Sequence, residues 1–335
     1  MKRALPCPAV LMAVAAAALL ALCVWLHAAQ HERAAARFAG EATAFAARLQ
    51  AELDASFAEL VAYRDALAAQ DAPPVPMGFE SWADAVLARR PGLRALSWNE
   101  WVTSARREAF EAQLRAECGC DIGIHEDGAD GRRIPAPLRS AYVVIRYIVP
   151  LATNRPALGY NIDAEPLRHA ALLAALRRDA PTATGPLRLV QDADAAESSV
   201  LVLLPSYLPG LPLQDYERRR AAVRGYVVAV VHVADMLAAA RAGWSGTALD
   251  VELLDDREPP GRNRLTGPIA AAPLGVPQAE ARLDVAGRRW LLRMQPAADS
   301  PYTRAGRRAL AVLVVGLLSI GLLAAAVLVR WRRNG

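Results

Sequence analysis

The sequence predicts an α+β protein in which a long N-terminal helix precedes antiparallel sheets, and in which two transmembrane helices flank this region. Two apolar runs, 5–27 and 309–329, are each long enough for the ~20 residues that a helix needs to cross the hydrocarbon of a bilayer. An alanine-rich segment without proline follows the first run. The strand patterns beyond it are interrupted by few helices and lack a regular βαβ alternation, which indicates antiparallel sheets.

The formal net charge of +5 lies wholly at the two ends of the chain. The basic residues that make up the excess are Lys2, Arg3, Arg330, Arg332 and Arg333. Residues 28–308 are neutral, so the composition predicts no nucleic-acid partner. Basic flanks are typical of cytoplasmic ends, and the orientation rests mainly on Lys2 and Arg3. We therefore expect a two-pass protein of the inner (cytoplasmic) membrane, with residues 28–308 in the periplasm or outside the cell.

The first apolar run is longer than the core of a typical signal peptide and has no small-residue cleavage site close to its end. It therefore favours an uncleaved anchor over a cleaved leader.

Residues 28–72 form the predicted stalk, a helix of about 65 Å that continues the first run. Its apolar residues recur at helical spacing: Phe38, Phe45, Leu49, Leu53, Phe57, Leu60, Tyr63 and Leu67. A stripe this narrow fits either a partner helix, and hence a homodimer through the stalk, or packing on the chain's own domain. The sequence leaves both alternatives open.

Prolines after residue 71 end this helix. The pattern then predicts a helix over 79–90, a strand over 92–98, and a helix from Thr103 or Ser104 to Glu117. A further helix is capped by Asp163, has Pro166 in its first turn and ends at Arg178. The remaining patterns predict strands over 121–125, 141–149, 157–161, 187–191, 199–204, 223–233, 249–254 and 282–294.

Catalytic motifs are missing from the sequence. Lys2 is the only lysine, which excludes a P-loop, a protein-kinase active site and a Schiff base on residues 28–308. There is no HExxH motif and no recognisable Ser/His/Asp set, so the sequence predicts no enzyme, no metal and no cofactor. Cys118 and Cys120 are either two free thiols or a local disulfide, both better supported than a metal centre.

Five blocks in order resemble the CHASE family, the extracytoplasmic sensory domains of bacterial sensor kinases and cyclases and of plant cytokinin receptors. The resemblance covers about residues 78–255. Its blocks are GLRALSWNEWVTSARREAFEAQLR, AYVVIRYIVPLATNRPALGYNIDAEPLRHAALLAALRRD, TGPLRLVQD, VLVLLPSY and RGYVVAVVHVADML. The resemblance implies a long helix followed by tandem PAS-like modules, with a small-ligand pocket in the membrane-distal module.

The resemblance also implies ligand-binding positions. Asn161 stands where cytokinin receptors have an Asp that bonds the purine, and Thr184 matches the family's Thr before a proline-containing strand. Tyr142 and Tyr147 match a tyrosine-containing strand of bacterial members, although Val149 replaces the Glu expected there. Since these tyrosines are five residues apart, a regular strand would place them on opposite faces.

The predicted function is a membrane-anchored sensor of an unknown small-molecule ligand, without an output domain on this chain, which acts through a separate kinase or cyclase partner. Alternatives are the sensory fragment of a split or truncated histidine kinase or diguanylate cyclase, and an envelope ligand-binding or scaffold protein with no inward signal. The predicted boundaries are 5–27 and 309–329 for the spans, 28–72 for the stalk, 78–255 for the sensory domain, 256–308 for a membrane-proximal sheet and linker, and 330–335 for a cytoplasmic tail.

Overall fold

The computed structural model describes residues 8–70, 73–187, 198–273 and 275–303, together with 314–316, 318–319, 321–322, 325–326 and 329. The α-helices are α1 (Pro8–Ala68), α2 (Pro76–Arg89), α3 (Arg107–Cys118), α4 (Leu151–Asn154), α5 (Pro166–Arg178), α6 (Tyr216–Ala222) and α7 (Val233–Ala242). The strands are β1 (Leu93–Thr103), β2 (His125–Asp127), β3 (Arg133–Pro135), β4 (Ala141–Val149), β5 (Thr182–Ala183), β6 (Ser199–Tyr207), β7 (Val223–His232), β8 (Leu249–Asp255), β9 (Ala279–Val285) and β10 (Arg288–Pro296). Mixed helices and antiparallel sheets behind a long N-terminal helix confirm the predicted α+β class at this level.

The larger sheet has the strand order β4-β1-β7-β6-β5, and every neighbouring pair is antiparallel. Its central strands are apolar on both faces because helices cover each side. α1, α2 and α7 lie on one face, and α5 lies on the other. The short strands β2 and β3 form a separate hairpin beside β4.

A second, three-stranded sheet follows, in the order β8-β10-β9. The sequence predicted one strand over 282–294, but the chain reverses at Ala286 and Gly287 and pairs β9 with β10. Gly287 has φ +85° and Ala286 has φ +46°, the backbone region that tight hairpin turns require. The buried apolar residues change from odd positions (Leu283, Val285) to even positions (Trp290, Leu292) across this turn, a signal that the prediction of one strand overlooked.

The apolar stripe of α1 packs on the chain's own domain. Phe45 meets the edge of Trp244 with ring centroids 5.4 Å apart, and Phe38 meets Tyr302 at 5.6 Å. Gln50 exchanges two hydrogen bonds with the backbone of Asp284 in β9. The stripe could have met a partner helix or the chain's own domain, and in the structure it packs on the chain's own domain.

Four further local predictions were wrong. Of the predicted strand 121–125, only His125 lies in a strand, β2. β1 continues to Thr103, and Ser104 lies in a 3₁₀ turn that ends at Arg106, so neither residue expected to cap α3 does so. The range 157–161 carries only isolated bridges and part of a 3₁₀ turn. The N-cap of α5 is Glu165, whose carboxylate accepts from two backbone N–H groups, whereas Asp163 accepts from His169 Nδ1 at 2.8 Å.

Within the described residues, no helix has both the length and the apolarity needed to cross a membrane. The predicted tail, 330–335, lies outside the described residues, as does much of the predicted second span, 309–329. Part of the predicted strand 187–191 also lies outside them.

Candidate functional site

A cavity of about 140 Å³ lies between the larger sheet and α5. Its floor is formed by residues of β1, β4, β6 and β7, and its rim by β2, β3, the segment after α4, and the first turn of α5. The lining residues are Ser97, Asn99, Asp127, Arg133, Ile145, Ile148, Asn154, Pro156, Ala157, Tyr160, Ile162, Arg168, Leu201, Val228 and Val230.

The polar part of the floor comes from alternating residues of β1. Ser97 and Asn99 are paired with Ile148 and Ile145 of β4, and all four side chains line the cavity. Asn99 has no exposed surface, and its Nδ2 donates to Ser97 Oγ at 3.0 Å. Its Oδ1 has no hydrogen-bond partner. A buried acceptor without a partner is costly, so the floor holds an unused hydrogen-bonding position.

Asn161 holds one wall of the cavity from behind. The side-chain Oδ1 of Asn161 accepts from the backbone N–H of Val143 at 3.0 Å. The backbone N–H of Asn161 donates to the carbonyl of His125 at 2.8 Å. The wall lies very close to β2: a Cβ on Gly159, which has φ +80°, would stand 2.7 Å from the carbonyl oxygen of Gly123. Only glycine fits there.

Arg168 and Tyr160 form the rim beside α5. The Arg168 guanidinium lies 5.1 Å above the centre of the Tyr160 ring, a cation–π arrangement. Burial raises the pKa of Tyr160 to about 12, against the opposing effect of Arg168. The hydroxyl therefore stays protonated at neutral pH, and it donates to Asp127 Oδ2 at 3.1 Å.

The guanidinium of Arg168 donates no hydrogen bond to any described residue. Its nearest carboxylate oxygen, Oε2 of Glu165, is 3.9 Å from Nε, and both oxygens of that carboxylate already accept from the backbone of α5. The Nε atom is buried without a partner. The rim thus presents a cation that can bind an anion.

The four residues that the sequence proposed for the ligand do not line this cavity. Tyr142 pairs with Val102, and Tyr147 pairs with Trp98. Trp98 and Val102 alternate with Asn99 on β1, so both tyrosines lie on the face opposite the cavity. They share that face, despite their odd spacing, because Arg146 is an extra residue that shifts the β1–β4 register. The expectation of opposite faces was wrong because β4 is not regular.

Each tyrosine has other partners on that face. The Tyr142 hydroxyl donates to the carbonyl of Pro137 at 3.0 Å and accepts from Arg107 and from the backbone of Arg139. Tyr147 packs at a tilt against Phe79.

Thr184 lies behind the floor. Its Oγ1 accepts from the N–H of Leu201 at 3.1 Å, and its N–H donates to the carbonyl of the same residue. Leu201 lines the cavity, and so do Tyr160 and Ile162, the chain neighbours of Asn161. Thr184 and Asn161 therefore hold residues that line the cavity. A direct contact of either with ligand stays a prediction.

Sequence reasoning missed Ser97, Asn99, Tyr160 and Arg168. A signal was available for the first two, because polar residues at alternate positions of the strand Leu93–Thr103 interrupt an apolar face. No comparable signal marked Arg168 among the chain's many arginines, because its environment depends on where α5 packs.

Among the described residues, no group of His, Cys, Asp and Glu side chains has the geometry of a metal site. Cys118 and Cys120 form a disulfide, which decides the alternatives left open by the sequence.

The CHASE domain family model matches residues 76–265 of the chain, and no curated protein matches the sequence. An extracellular ligand binding receptor from Desulfohalobium retbaense is 8% identical with a TM-score of 0.44; the match covers 76% of this chain and 39% of that receptor. The ligand-binding domain of the Pseudomonas aeruginosa amino acid chemoreceptor PctC, in complex with GABA, is 13% identical with a TM-score of 0.41, over 78% and 98%. The periplasmic sensory domain of the Campylobacter jejuni chemoreceptor Tlp1 is 10% identical with a TM-score of 0.40, over 76% and 91%.

Proposed function

Because the chain belongs to the CHASE domain family and so carries an extracellular sensor domain, we propose that it detects a small molecule bound in the cavity between the larger sheet and α5. The observation that carries this proposal is a pair of polar groups in the cavity, Asn99 and Arg168, that lack hydrogen-bond partners. Asn99 offers a fully buried acceptor without a partner, and Arg168 offers a cation without a hydrogen bond to the described residues. Such groups lower the stability of the empty domain, and a ligand that pairs with them restores it.

The output of the sensor is proposed to pass through α1. This helix contacts both sheets: Arg224 of β7 donates to the carbonyls of Leu67 and Gln70 near its C-terminal end, and Gln50 bonds to β9. A ligand that binds one arrangement of the sheets better than another shifts the equilibrium between them. Because α1 is attached to both sheets, such a shift would move the helix.

We further propose that the apolar runs 5–27 and 309–329 anchor the protein in the inner membrane and that a separate kinase or cyclase receives the signal. This rests on the apolar composition of the runs, on their basic flanks and on the missing kinase lysine. A homodimer through the stalk stays a prediction, and it would use the side of α1 that faces away from the buried stripe. Alkaline extraction of membranes and protease accessibility of residues 28–308 in spheroplasts test the anchoring.

Ligand binding is tested by thermal denaturation of the purified full-length chain with purines, amino acids and small organic acids. A ligand at 100 times its dissociation constant adds about 2.7 kcal/mol to the free energy of unfolding, which raises the melting temperature by several degrees. The variant Ala157→Phe, which places a ring at the cavity wall, should abolish the shift.

The matched control is Ala152→Phe, a change of the same size at an exposed position in α4 that does not line the cavity. It should leave the shift intact. Absence of a shift with every class of compound, or equal loss in both variants, would contradict the proposal.

A further inference from the structure

We infer that the ligand of this cavity is a compact organic carboxylate that carries a hydrogen-bond donor on its apolar body. This inference rests on the proposed sensor function and names the class of ligand. The carboxylate pairs with Arg168, the donor pairs with Asn99, and the apolar body lies on the floor of the sheet.

The guanidinium of Arg168 selects an anion. It lies in the first turn of α5 and is held by the ring of Tyr160. Its buried Nε has no partner, and the carboxylate of Glu165 is engaged with the helix backbone. A planar guanidinium with free N–H groups matches the two oxygens of a carboxylate. With an uncharged ligand, the nearest carboxylate to this cation would still be that of Glu165 at 3.9 Å, beyond hydrogen-bond distance.

The other charged groups of the lining do not cancel Arg168. Asp127 accepts the hydroxyl of Tyr160, and Arg133 donates to the carbonyl of Pro156 at 2.5 Å. Two arginines and one aspartate therefore line the cavity. Among the lining residues the formal excess is one positive charge; Glu165, the nearest carboxylate to Arg168, lies outside the lining. A monoanionic ligand would balance the charge of the lining.

The floor selects a donor. Asn99 is fully buried, and its Nδ2 is used by Ser97. Its Oδ1 is the atom of this side chain that has no partner, and an amide oxygen accepts hydrogen bonds. Around it, the floor is aliphatic, formed by Ile145, Leu201, Val228 and Val230. A hydroxyl or N–H group on an apolar chain fits this surface.

The volume limits the size of the ligand. A cavity of about 150 Å³ holds a benzene molecule, and this one measures about 140 Å³. The buried part of the ligand is therefore on the order of six to ten non-hydrogen atoms. Nucleotides and peptides are too large to be enclosed.

The experiment compares matched probes on the purified full-length chain by titration calorimetry. Pentanoate and pentanamide have the same shape and differ in charge, and 5-hydroxypentanoate adds a terminal donor. Pentanoate should bind at least about tenfold more tightly than pentanamide, and 5-hydroxypentanoate more tightly than pentanoate. In Arg168→Gln the preference for the anion should disappear, while binding of pentanamide stays unchanged.

The matched control is Arg177→Gln. Arg177 lies on the same helix and over a tyrosine ring, that of Tyr216, at 5.5 Å, but it does not line the cavity. This variant should keep the preference, and equal melting temperatures of the two unliganded variants would show that both fold.

Equal affinity for pentanoate and pentanamide overturns the inference, as does a preference that survives in Arg168→Gln. Inorganic phosphate that binds as tightly as pentanoate also overturns it, because the apolar floor would then contribute nothing. If purines or amines bind in a manner blocked by Ala157→Phe while carboxylates do not, the sensor function stands and the carboxylate inference fails. If no compound of any class binds, both fail.

Discussion

Arg146 is expected to be among the most sensitive charged residues in the sensor domain. Its side chain is 8% exposed, with Nη1 at 2.6 Å from Glu100 Oε2 and Nη2 at 2.5 Å from Glu117 Oε1. The substitution Arg146→Met keeps much of the apolar volume and removes the charge. It leaves Glu100, 3% exposed, with only Arg106. Breaking a buried pair costs about 3–5 kcal/mol.

Arg146→Met should lower the free energy of unfolding by about 3 kcal/mol, the lower end of that range. The reason is that Glu117 is 28% exposed, so water solvates its carboxylate in part. The assay is urea unfolding of the full-length chain, followed by tryptophan fluorescence. The control, Arg106→Met, removes the other partner of Glu100 at 2.9 Å; because Arg106 is 56% exposed, its loss should be about 1 kcal/mol or less.

A second substitution tests the contribution of the Glu100 carboxylate in Arg146→Met. Adding Glu100→Gln to Arg146→Met removes a buried carboxylate whose remaining partner is the exposed Arg106, so the double variant should regain about 1–2 kcal/mol over the single one. Two results would contradict a stabilising Arg146–Glu100 pair. In one, Arg146→Met loses no more stability than Arg106→Met; in the other, Glu100→Gln adds to the loss.

Two further predictions concern the cavity. Asn161→Ala leaves the buried N–H of Val143 unpaired, so it should lower the free energy of unfolding by about 1–3 kcal/mol. Ligand affinity should change less than about threefold. A large loss of affinity at unchanged stability would instead place Asn161 in contact with ligand. Because the folded-state pKa of Tyr160 is raised to about 12 from 10.0, its contribution is fully present below pH 10 and is lost as the pH rises towards 12. Urea unfolding across that range should show a smaller decline for Tyr160→Phe than for the wild type, and identical declines would argue against the burial of this hydroxyl.

Strong local patterns predicted several elements well. The strand Ala141–Val149 has the predicted limits, because its β-branched and aromatic residues are bounded by polar residues and a proline. α5 ends at Arg178 as predicted. Its cap was misassigned because Asp is a preferred N-cap residue and Glu is not. The chain enters the helix at Glu165, whose side chain accepts from the N–H groups of Leu167 and Arg168.

The site was harder to predict than the elements. The bulge at Arg146 reverses which face each later residue of β4 occupies, so Tyr147 turns away from the cavity and Ile148 towards it. Nothing local marks this bulge, since the register of β4 is decided by its pairing with β1.

The sequence by itself determined the α+β class, the long helix with its buried stripe, the family of the domain and the absence of a kinase lysine, because these depend on composition, period and the order of motifs along the chain. Only the tertiary structure decided what covers the stripe, which faces of β1 and β4 meet the cavity, and which polar groups are left without partners there. Strand pairing and helix packing bring residues such as Asn99 and Arg168, which lie far apart in sequence, to one cavity, and no local pattern records that arrangement.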